Sequence, residues 1–258
     1  MERSLACRGL RWVICLSFII SHLPMMTANA QTDDFGVWLD AGVEKKLSRK
    51  WSVAGDIAFR TRNNSTELSR WATVGLSAEY KLAKWLKASA GYVLLFDHNE
   101  EELDMKSDGL TPNKWTPSYW SFRHRVSASL TASANVQRLS LSLRERWQYT
   151  YRPEIEAQRY DVDNDVWKSV KGKGKNLLRS RLQAEYDIPH WKLDPVLSVE
   201  MFTAKGGVQK MRYSAGVEYR WKKKHILGVD YKFQKVNGED DDLDKNSHIL
   251  GLSYKFKF

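Results

Sequence analysis

From about residue 36 to the last residue, apolar and polar side chains alternate with a period of two through one strand-length segment after another. Such alternation places each residue type on its own face of a β-strand and gives a helix no apolar stripe. In the final segment, His248, Leu250, Leu252, Tyr254, Phe256 and Phe258 share one face, and Ile249, Gly251, Ser253, Lys255 and Lys257 take the other. Met211, Tyr213, Ala215, Val217, Tyr219 and Trp221 oppose Arg212, Ser214, Gly216, Glu218, Arg220 and Lys222 in the same way. Further back, Val53, Gly55, Ile57 and Phe59 alternate with Ala54, Asp56, Ala58 and Arg60. Ala72, Val74, Leu76, Ala78 and Tyr80 lead through a short turn to Leu86, Ala88, Ala90, Tyr92, Leu94 and Phe96.

A soluble sandwich also alternates, but its connections are compact at both ends. Here the short connections fall near residues 48, 83, 134, 189 and 223, and the long or polar ones over 62–70, 97–118, 152–176, 204–210 and 236–246. Short turns at one rim, long loops at the other and aromatics near strand ends are the pattern of an all-β transmembrane antiparallel β-barrel, apolar outside and polar inside. Such a barrel pairs every backbone group without leaving an edge, the condition for a sheet to cross lipid. Eleven segments qualify: 36–47, 51–62, 70–81, 85–96, 118–132, 137–151, 177–188, 191–203, 210–221, 225–235 and 247–258. Bacterial single-chain barrels have even strand numbers, so the expectation is ten to twelve, with either a strand missed or Phe35–Leu47 not an ordinary wall strand.

Alternation also explains the composition. The chain is 42% hydrophobic and 12% aromatic, which excludes disorder, yet its mean hydropathy is −0.54. The longest apolar run after residue 30, Ala90–Phe96, is far below the ~18 residues of a spanning helix. Residues 1–30 read as a secretory signal peptide. Arg3, Arg8 and Arg11 precede an apolar stretch from Trp12 to Leu23, and Ala28-Asn29-Ala30 supplies small residues for cleavage before Gln31. That leaves residues 31–258 as one barrel domain. Removing residues 1–30 deletes Glu2 and three arginines, so the formal charge falls from +10 to +8. Cys7 and Cys15 leave with it, so no disulfide is expected in the exported chain.

Val37-Trp38-Leu39, Lys45-Lys46-Leu47 before Lys50-Trp51, Phe122-Arg123-His124-Arg125, Leu178-Arg179-Ser180-Arg181 with Glu185-Tyr186, Glu200-Met201-Phe202 and the terminal Tyr254-Lys255-Phe256-Lys257-Phe258 carry a resemblance. On these, with the signal peptide, residues 31–258 resemble a family of uncharacterised outer-membrane β-barrel proteins common in Bacteroidetes. The resemblance implies an outer-membrane location and a barrel, and no chemistry. Tyr254, Phe256 and Phe258 look like the signal read by the barrel assembly machinery, which would put Phe258 at the periplasmic rim and the long loops outside. The partners implied are outer-membrane lipid, lipopolysaccharide and that machinery, with the barrel itself a monomer. The basic excess lies along strand faces and turns without a concentrated patch, which excludes a nucleic-acid protein.

The rims then differ in charge. Lys45, Lys46, Arg49 and Lys50, then Lys81, Lys84 and Lys87, then Lys222, Lys223 and Lys224 mark the turns. Asp97, Glu100, Glu101, Glu102, Asp104 and Asp108 mark one loop, and Glu239, Asp240, Asp241, Asp242 and Asp244 another. Such acids read either as divalent-cation or lipopolysaccharide-bridging sites or as solvated, self-repelling loops. Asp161, Asp163 and Asp165 have the opening spacing of a calcium loop, but Val166 and Gly172 stand where Gly and the bidentate Glu are needed, so no metal is assigned. No cofactor is expected either.

Directly opposed residues of a tight hairpin can be counted from its turn. A turn at Ala134-Asn135 pairs Val126 with Leu143, Ala128 with Leu141 and Leu130 with Leu139 outside, and Arg123 with Arg146 and Arg125 with Arg144 inside. Centring the next hairpin on Asp163-Asn164 sets Arg146 against Arg181 and Gln148 against Arg179. A turn at Pro189-His190 sets Arg179 against Glu200, Arg181 against Ser198 and Asp187 against Lys192. The expectation is an inward cluster of Arg123, Arg125, Arg144, Arg146, Arg179 and Arg181, with Glu200 and Glu185 as counter-charges. It reads as an anion-attracting constriction or anionic-ligand site, or as a salt-bridged plug that stiffens a narrow barrel.

An outer-membrane lipid hydrolase would need a Ser and a His on one strand face. His98, His124, His190, His225 and His248 are followed two residues on by Glu100, Val126, Lys192, Leu227 and Leu250, none of them Ser. His124, expected opposite Glu145, is the remaining candidate, as part of a triad or as a satisfied polar contact. No catalytic residue is assigned. The reading is a structural or small-solute/anion-permeable barrel, with a lipid-modifying hydrolase or a binding module acting through acidic loops as alternatives.

Overall fold

The computed structural model describes residues 33–222, 224–237 and 246–258, apart from the side chains of residues 71 and 72. The expected signal peptide and most of the second acidic loop, Glu239 to Asp244, lie outside the described residues. Among the described residues fifteen strands follow one another: β1 Asp34–Lys46, β2 Trp51–Arg62, β3 Glu67–Lys81, β4 Leu86–Asn99, β5 Glu102–Met105, β6 Pro112–Thr116, β7 Tyr119–Val136, β8 Leu139–Arg152, β9 Ile155–Asp161, β10 Val166–Val170, β11 Lys173–Tyr186, β12 Leu193–Ala204, β13 Gly207–Trp221, β14 His225–Val236 and β15 Ser247–Lys257. Among the described residues no helix is long and apolar enough to cross a membrane.

Eleven of the strands close a barrel, in the order β1-β15-β14-β13-β12-β11-β8-β7-β4-β3-β2. Eleven falls within the expected ten to twelve, and an odd count has a geometric consequence. With an odd count, the first and last strands of an up-and-down sheet run the same way, so the closing seam has to be parallel. β1 indeed pairs β15 in parallel, from Asp34 beside Ser247 to Glu44 beside Lys257, while all other neighbours are antiparallel. The segment Phe35–Leu47 is therefore a full wall strand, distinguished by its parallel partner.

Burial is inverted relative to a soluble domain. Leu76 and Leu197 are 63% and 60% exposed on the outer face, while Glu200 and Arg212 are 5% and 8% exposed inside. Small inward residues make room for long ones. A side chain at Gly75 would collide with the Asp56 carboxylate, and one at Gly251 with Lys232 and Asp230. Aromatic residues ring the turn rim through Trp51, Trp85, Tyr186, Trp191, Trp221 and Phe258, all exposed.

The connections depart from the expected short-long alternation in two places. Strands β2 and β3 extend toward one another, leaving residues 63–66, and β12 and β13 leave only Lys205 and Gly206. The second turn is possible because Gly206 and Gly207 take φ of 108° and 118°, a region that suits glycine. Conversely, two segments read as loops contain strands. β5 and β6 arise between β4 and β7, β9 and β10 between β8 and β11, and together they form a four-stranded sheet ordered β10-β9-β6-β5. At four to seven residues each, these strands are too short for alternation to stand out.

Candidate functional site: an arginine-rich lumen

Glu200 on β12 is the hub of the lumen. Its Oε1 accepts from Arg179 Nη2 at 2.9 Å and Arg144 Nη2 at 3.2 Å, and its Oε2 from Arg212 Nη1 at 3.2 Å. The arginines are fixed in turn from behind. Arg212 donates to Gln234 at 2.6 Å, and Arg179 donates to Gln148 at 3.3 Å. Aromatic faces complete the packing: Phe202 lies 4.8 Å from both Arg179 and Arg212, and Trp38 lies 4.6 Å from Arg212 and 4.0 Å from Arg60. A guanidinium over a ring face gains quadrupole attraction while keeping its edge free for hydrogen bonds.

A second acid organises the loop-side end. Asp97 takes a two-pronged contact from Arg70, with the Nη2 prong at 2.9 Å, and lies 3.5 Å from Arg123 Nε. Asn99 links this pair to the wall, accepting from Arg123 at 2.9 Å and donating to Ser121 Oγ at 2.8 Å. Arg125 donates to Thr150 Oγ1 at 2.9 Å. Toward the turn rim the charges are mixed: Glu185 holds Arg220, whose Nε lies 3.2 Å from Asp194, and Asp230 holds Lys232.

Arg146 and Arg181 also point inward beside the Glu200 hub, and, like Arg125, neither has an acid within ion-pair distance among the described residues. The middle of the lumen thus carries more cation than acid. A cavity of about 270 Å³ opens beside it, lined by Trp38, by Arg60, Arg179, Arg181, Arg212 and Lys232, and by the acids Asp40, Glu200, Glu218 and Asp230. A larger hollow of about 870 Å³ lies on the outer apolar face over Val53, Leu76, Ala78, Ala90 and Tyr92, and touches none of the arginines.

The six arginines expected in one cluster all face inward, but among the described residues three of them contact an acid, Arg144 and Arg179 at Glu200 and Arg123 at Asp97. The β7–β8 turn lies at Gln137-Arg138, with Gln137 at φ 54°, instead of at Ala134-Asn135, so Val136 pairs with Leu139 and Leu130 with Glu145. Arg146 therefore sits opposite Ser129 and Arg144 opposite Thr131, not against Arg123 and Arg125. Across β8–β11, Arg146 faces Arg179 and Arg144 faces Arg181, and across β11–β12 Arg181 faces Glu200. Glu185 serves Arg220 instead of the cluster. Arg212, Arg60, Arg70, Asp97 and Trp38 were not assigned to the site from sequence. Arg212 and Arg60 stood on polar faces already identified, and Asp97 was counted with the acidic loop.

The proposed His124–Glu145 pairing is not formed. His124 lies opposite Tyr151 and its Nδ1 meets the Tyr92 hydroxyl at 2.7 Å, while Glu145 accepts from Ser180 Oγ at 2.6 Å. The first acidic loop does not behave as a self-repelling run. Glu100 contacts Arg62 at 3.0 Å, Glu101 accepts from Trp115 Nε1 at 2.5 Å, and Asp108 caps its own turn through the amides of Leu110 and Thr111 at 2.9 Å. Hydrogen bonds from the Thr111 hydroxyl and these amides hold the Asp108 carboxyl below its ordinary range. Asp161 is held lower, at about 2, chiefly by hydrogen bonds from Lys168 and Asn164. Among the described residues no three acids, histidines or cysteines converge as metal ligands. At the turn rim, Tyr254 meets His225 Nδ1 at 2.8 Å, Phe256 packs edge-on to Phe258 at 4.5 Å, and the Phe258 amide donates to the Glu44 carbonyl at 2.9 Å.

Comparison with known proteins places the fold. No curated protein matches the chain. The crystal structure of the beta domain of the Bordetella autotransporter BrkA aligns over 81% of this chain and 82% of that one, at 12% identity and a TM-score of 0.50. The NanC porin aligns over 86% of this chain and 99% of that one, at 14% identity and a TM-score of 0.46. The family model described as "Protein of unknown function (DUF2490)" matches residues 35–246, all but the closing strand of the barrel, and the chain belongs to that family.

Proposed function

We propose that the protein is an outer-membrane β-barrel whose narrow lumen favours small anions, with the turns on the periplasmic side and the long loops and their four-stranded sheet outside. The inverted burial supports the membrane reading. Leu76, Leu182 and Leu197, each more than half exposed, belong to a continuous apolar wall that water would not tolerate. The observation that carries the anion reading is the charge imbalance at mid-lumen: Glu200 neutralises part of Arg144, Arg179 and Arg212, and Arg146 and Arg181 add two cations with no acid within ion-pair distance among the described residues. Fixed cations in a constriction raise the local concentration of anions and repel cations. Tyr254, Phe256 and Phe258 serve as the assembly signal in this reading, and the outer face meets lipid and, above, lipopolysaccharide.

The test is single-channel recording in planar bilayers under a salt gradient. The parent barrel is expected to pass current with an anion-selective reversal potential, and Arg146→Gln with Arg181→Gln to shift it toward cations. No change in conductance or selectivity would sink the pore idea.

A second reading rests on the extra sheet. Trp115, Tyr160 and Trp167 form a ring cluster there with Trp167 47% exposed, as expected of a binding surface. Deleting residues 102–116 and 155–170 would remove binding while leaving conductance intact. A hydrolase loses its support, because His124 and Glu145 each have a separate partner.

A further inference from the structure

The outer wall of a barrel is convex, yet on this one a hollow of about 870 Å³ opens over β2, β3 and β4. Its floor is Gly55, Ala78 and Ala90, and Val43, Leu76, Tyr92 and Val126 stand around it. The register puts all of these on the apolar side of the wall: Gly55 pairs with Val43 and Leu76, Ala78 with Ala90, and Tyr92 with Leu76 and Val126. Tyr92 is fixed by His124, whose Nδ1 meets its hydroxyl at 2.7 Å. Packing within the chain does not require so low a floor. A Cβ built on Gly55 would meet Leu76 and Val43 at 3.7 Å, which is ordinary contact, whereas one on Gly75 would strike the Asp56 carboxylate. An apolar hollow loses dispersion contacts on its open side, so an apolar occupant from outside the chain stabilises it.

One end of the hollow lies at the turn rim and the other does not. Lys45, next to last in β1, lines the rim end together with Phe258, while Val126 stands ten residues before Val136, the turn end of β7 (136 minus 126). The rim around Lys45 is basic. Lys46, Arg49 and Lys50 follow it into the β1–β2 turn, and Lys81 and Lys84 lie at the β3–β4 turn. The acids of these strand ends are already taken, Glu44 by Lys257 at 3.8 Å and Glu79 by Lys87 at 2.8 Å. Even with a carboxylate at Phe258, this corner keeps an excess of cations. A trough that starts at a cationic rim and runs on over apolar wall is matched in both parts by one molecule, an acyl chain joined to a phosphate.

We propose that the hollow binds one anionic phospholipid of the turn-side leaflet, with its phosphate at Lys45 and an acyl chain laid over Gly55, Ala78 and Ala90. The site rests on the membrane reading above and is independent of whether the lumen conducts. A zwitterionic phospholipid fills the trough equally well but carries an ammonium into a rim rich in cations, so headgroup charge discriminates between the two.

The test uses the full chain expressed for export, recovered in nanodiscs of equal parts phosphatidylglycerol and phosphatidylcholine and released into detergent for native mass spectrometry. The parent barrel is expected to retain one phosphatidylglycerol in preference to phosphatidylcholine. Lys45→Gln is expected to weaken that retention about fivefold, the worth of one basic residue at a membrane surface. Ala78→Leu and Gly55→Leu keep Lys45, suit a lipid-facing wall and fill the trough, and each is expected to lose the retained lipid. Ala215→Leu, on the outer face of β13 opposite Leu197 and Tyr231, is expected to keep it. Comparison is made between barrels that show the heat-dependent gel shift of the folded form, and the two filling variants serve as alternatives to one another. Equal retention of the two phospholipids, a parent barrel that retains neither, or unchanged retention in Lys45→Gln or in a folded filling variant overturns the site. Loss of the lipid in Ala215→Leu overturns its location. A chain that does not float with vesicles overturns the membrane reading beneath it.

Discussion

Replacing Glu200 by glutamine removes one negative charge from a site where three guanidiniums converge at 2.9, 3.2 and 3.2 Å. At an effective dielectric of ~20, a contact near 3 Å is worth about 5 kcal/mol of gross attraction. Most of that offsets the cost of desolvating the four charges, so the net measure is the penalty for leaving buried charge unpaired, about 3–5 kcal/mol. Glu200→Gln retains one acceptor and part of the packing, which puts its expected loss at the lower end, about 3 kcal/mol. The assay is reversible urea unfolding in vesicles, followed by tryptophan fluorescence. The same variant leaves the lumen one charge more positive, so its reversal potential is expected to move further toward anions. Arg146→Gln is the contrast, since it removes a cation with no acid within ion-pair distance among the described residues. It is expected to leave stability unchanged within about 1 kcal/mol or to raise it by relieving repulsion, and to move the reversal potential toward cations. The two variants therefore differ in sign in selectivity and in size in stability. Glu200→Gln with an unchanged unfolding midpoint, or both variants moving selectivity in one direction, would refute the hub.

Further outcomes follow from the same geometry. Gly206→Ala and Gly207→Ala, at φ of 108° and 118°, are each expected to cost about 1–3 kcal/mol in the same unfolding assay, whereas Gln137→Gly, at φ 54°, is expected to gain about 0.5–1 kcal/mol. Cysteines at Ala132 and Leu143 are expected to form a disulfide, because these residues are directly opposed; in the hairpin expected from the Asn135 turn Ala132 would face Gln137 and no bond would form. Asp161 has a folded pKa lowered to about 2, so its contribution to the β9–β10 hairpin is present above the unfolded value near 4 and is lost as pH falls through about 2. Carboxyl-resolved NMR should show that titration, and Lys168→Ala should return it toward 4; a normal Asp161 pKa in the parent would count against the pairing.

What the sequence made legible was parity. Every inward arginine and every outward leucine used in the reading stands on the face that alternation assigned, because a strand that slips by one residue would turn its whole apolar set inward. A slip by two residues, or by six, leaves each face unchanged. The hydrophobic pattern therefore could not place the β7–β8 turn. Asn135 is a better turn residue by composition than Gln137, but extending the strands to Val136 and Leu139 adds further outward pairs, including Ala134 with Leu141. That six-residue shift moved Arg144 and Arg146 away from Arg125 and Arg123, left Arg144 in contact with the mid-lumen acid Glu200, and separated His124 from Glu145. Trp38 was hidden for a different reason. An aromatic on a barrel strand is expected to face outward, yet parity puts this one inside, where Arg60 and Arg212 stack on it.

The same distinction explains why chemistry at the two faces is unequally readable. A charge that points inward is one of many, and its meaning depends on the longitudinal register that alternation leaves open. A charge that points outward into an apolar wall is an exception to the face rule itself, and so carries information that needs only parity. Glu145 is that exception. Its conflict with the lipid-facing wall remains wherever the β7–β8 turn is placed.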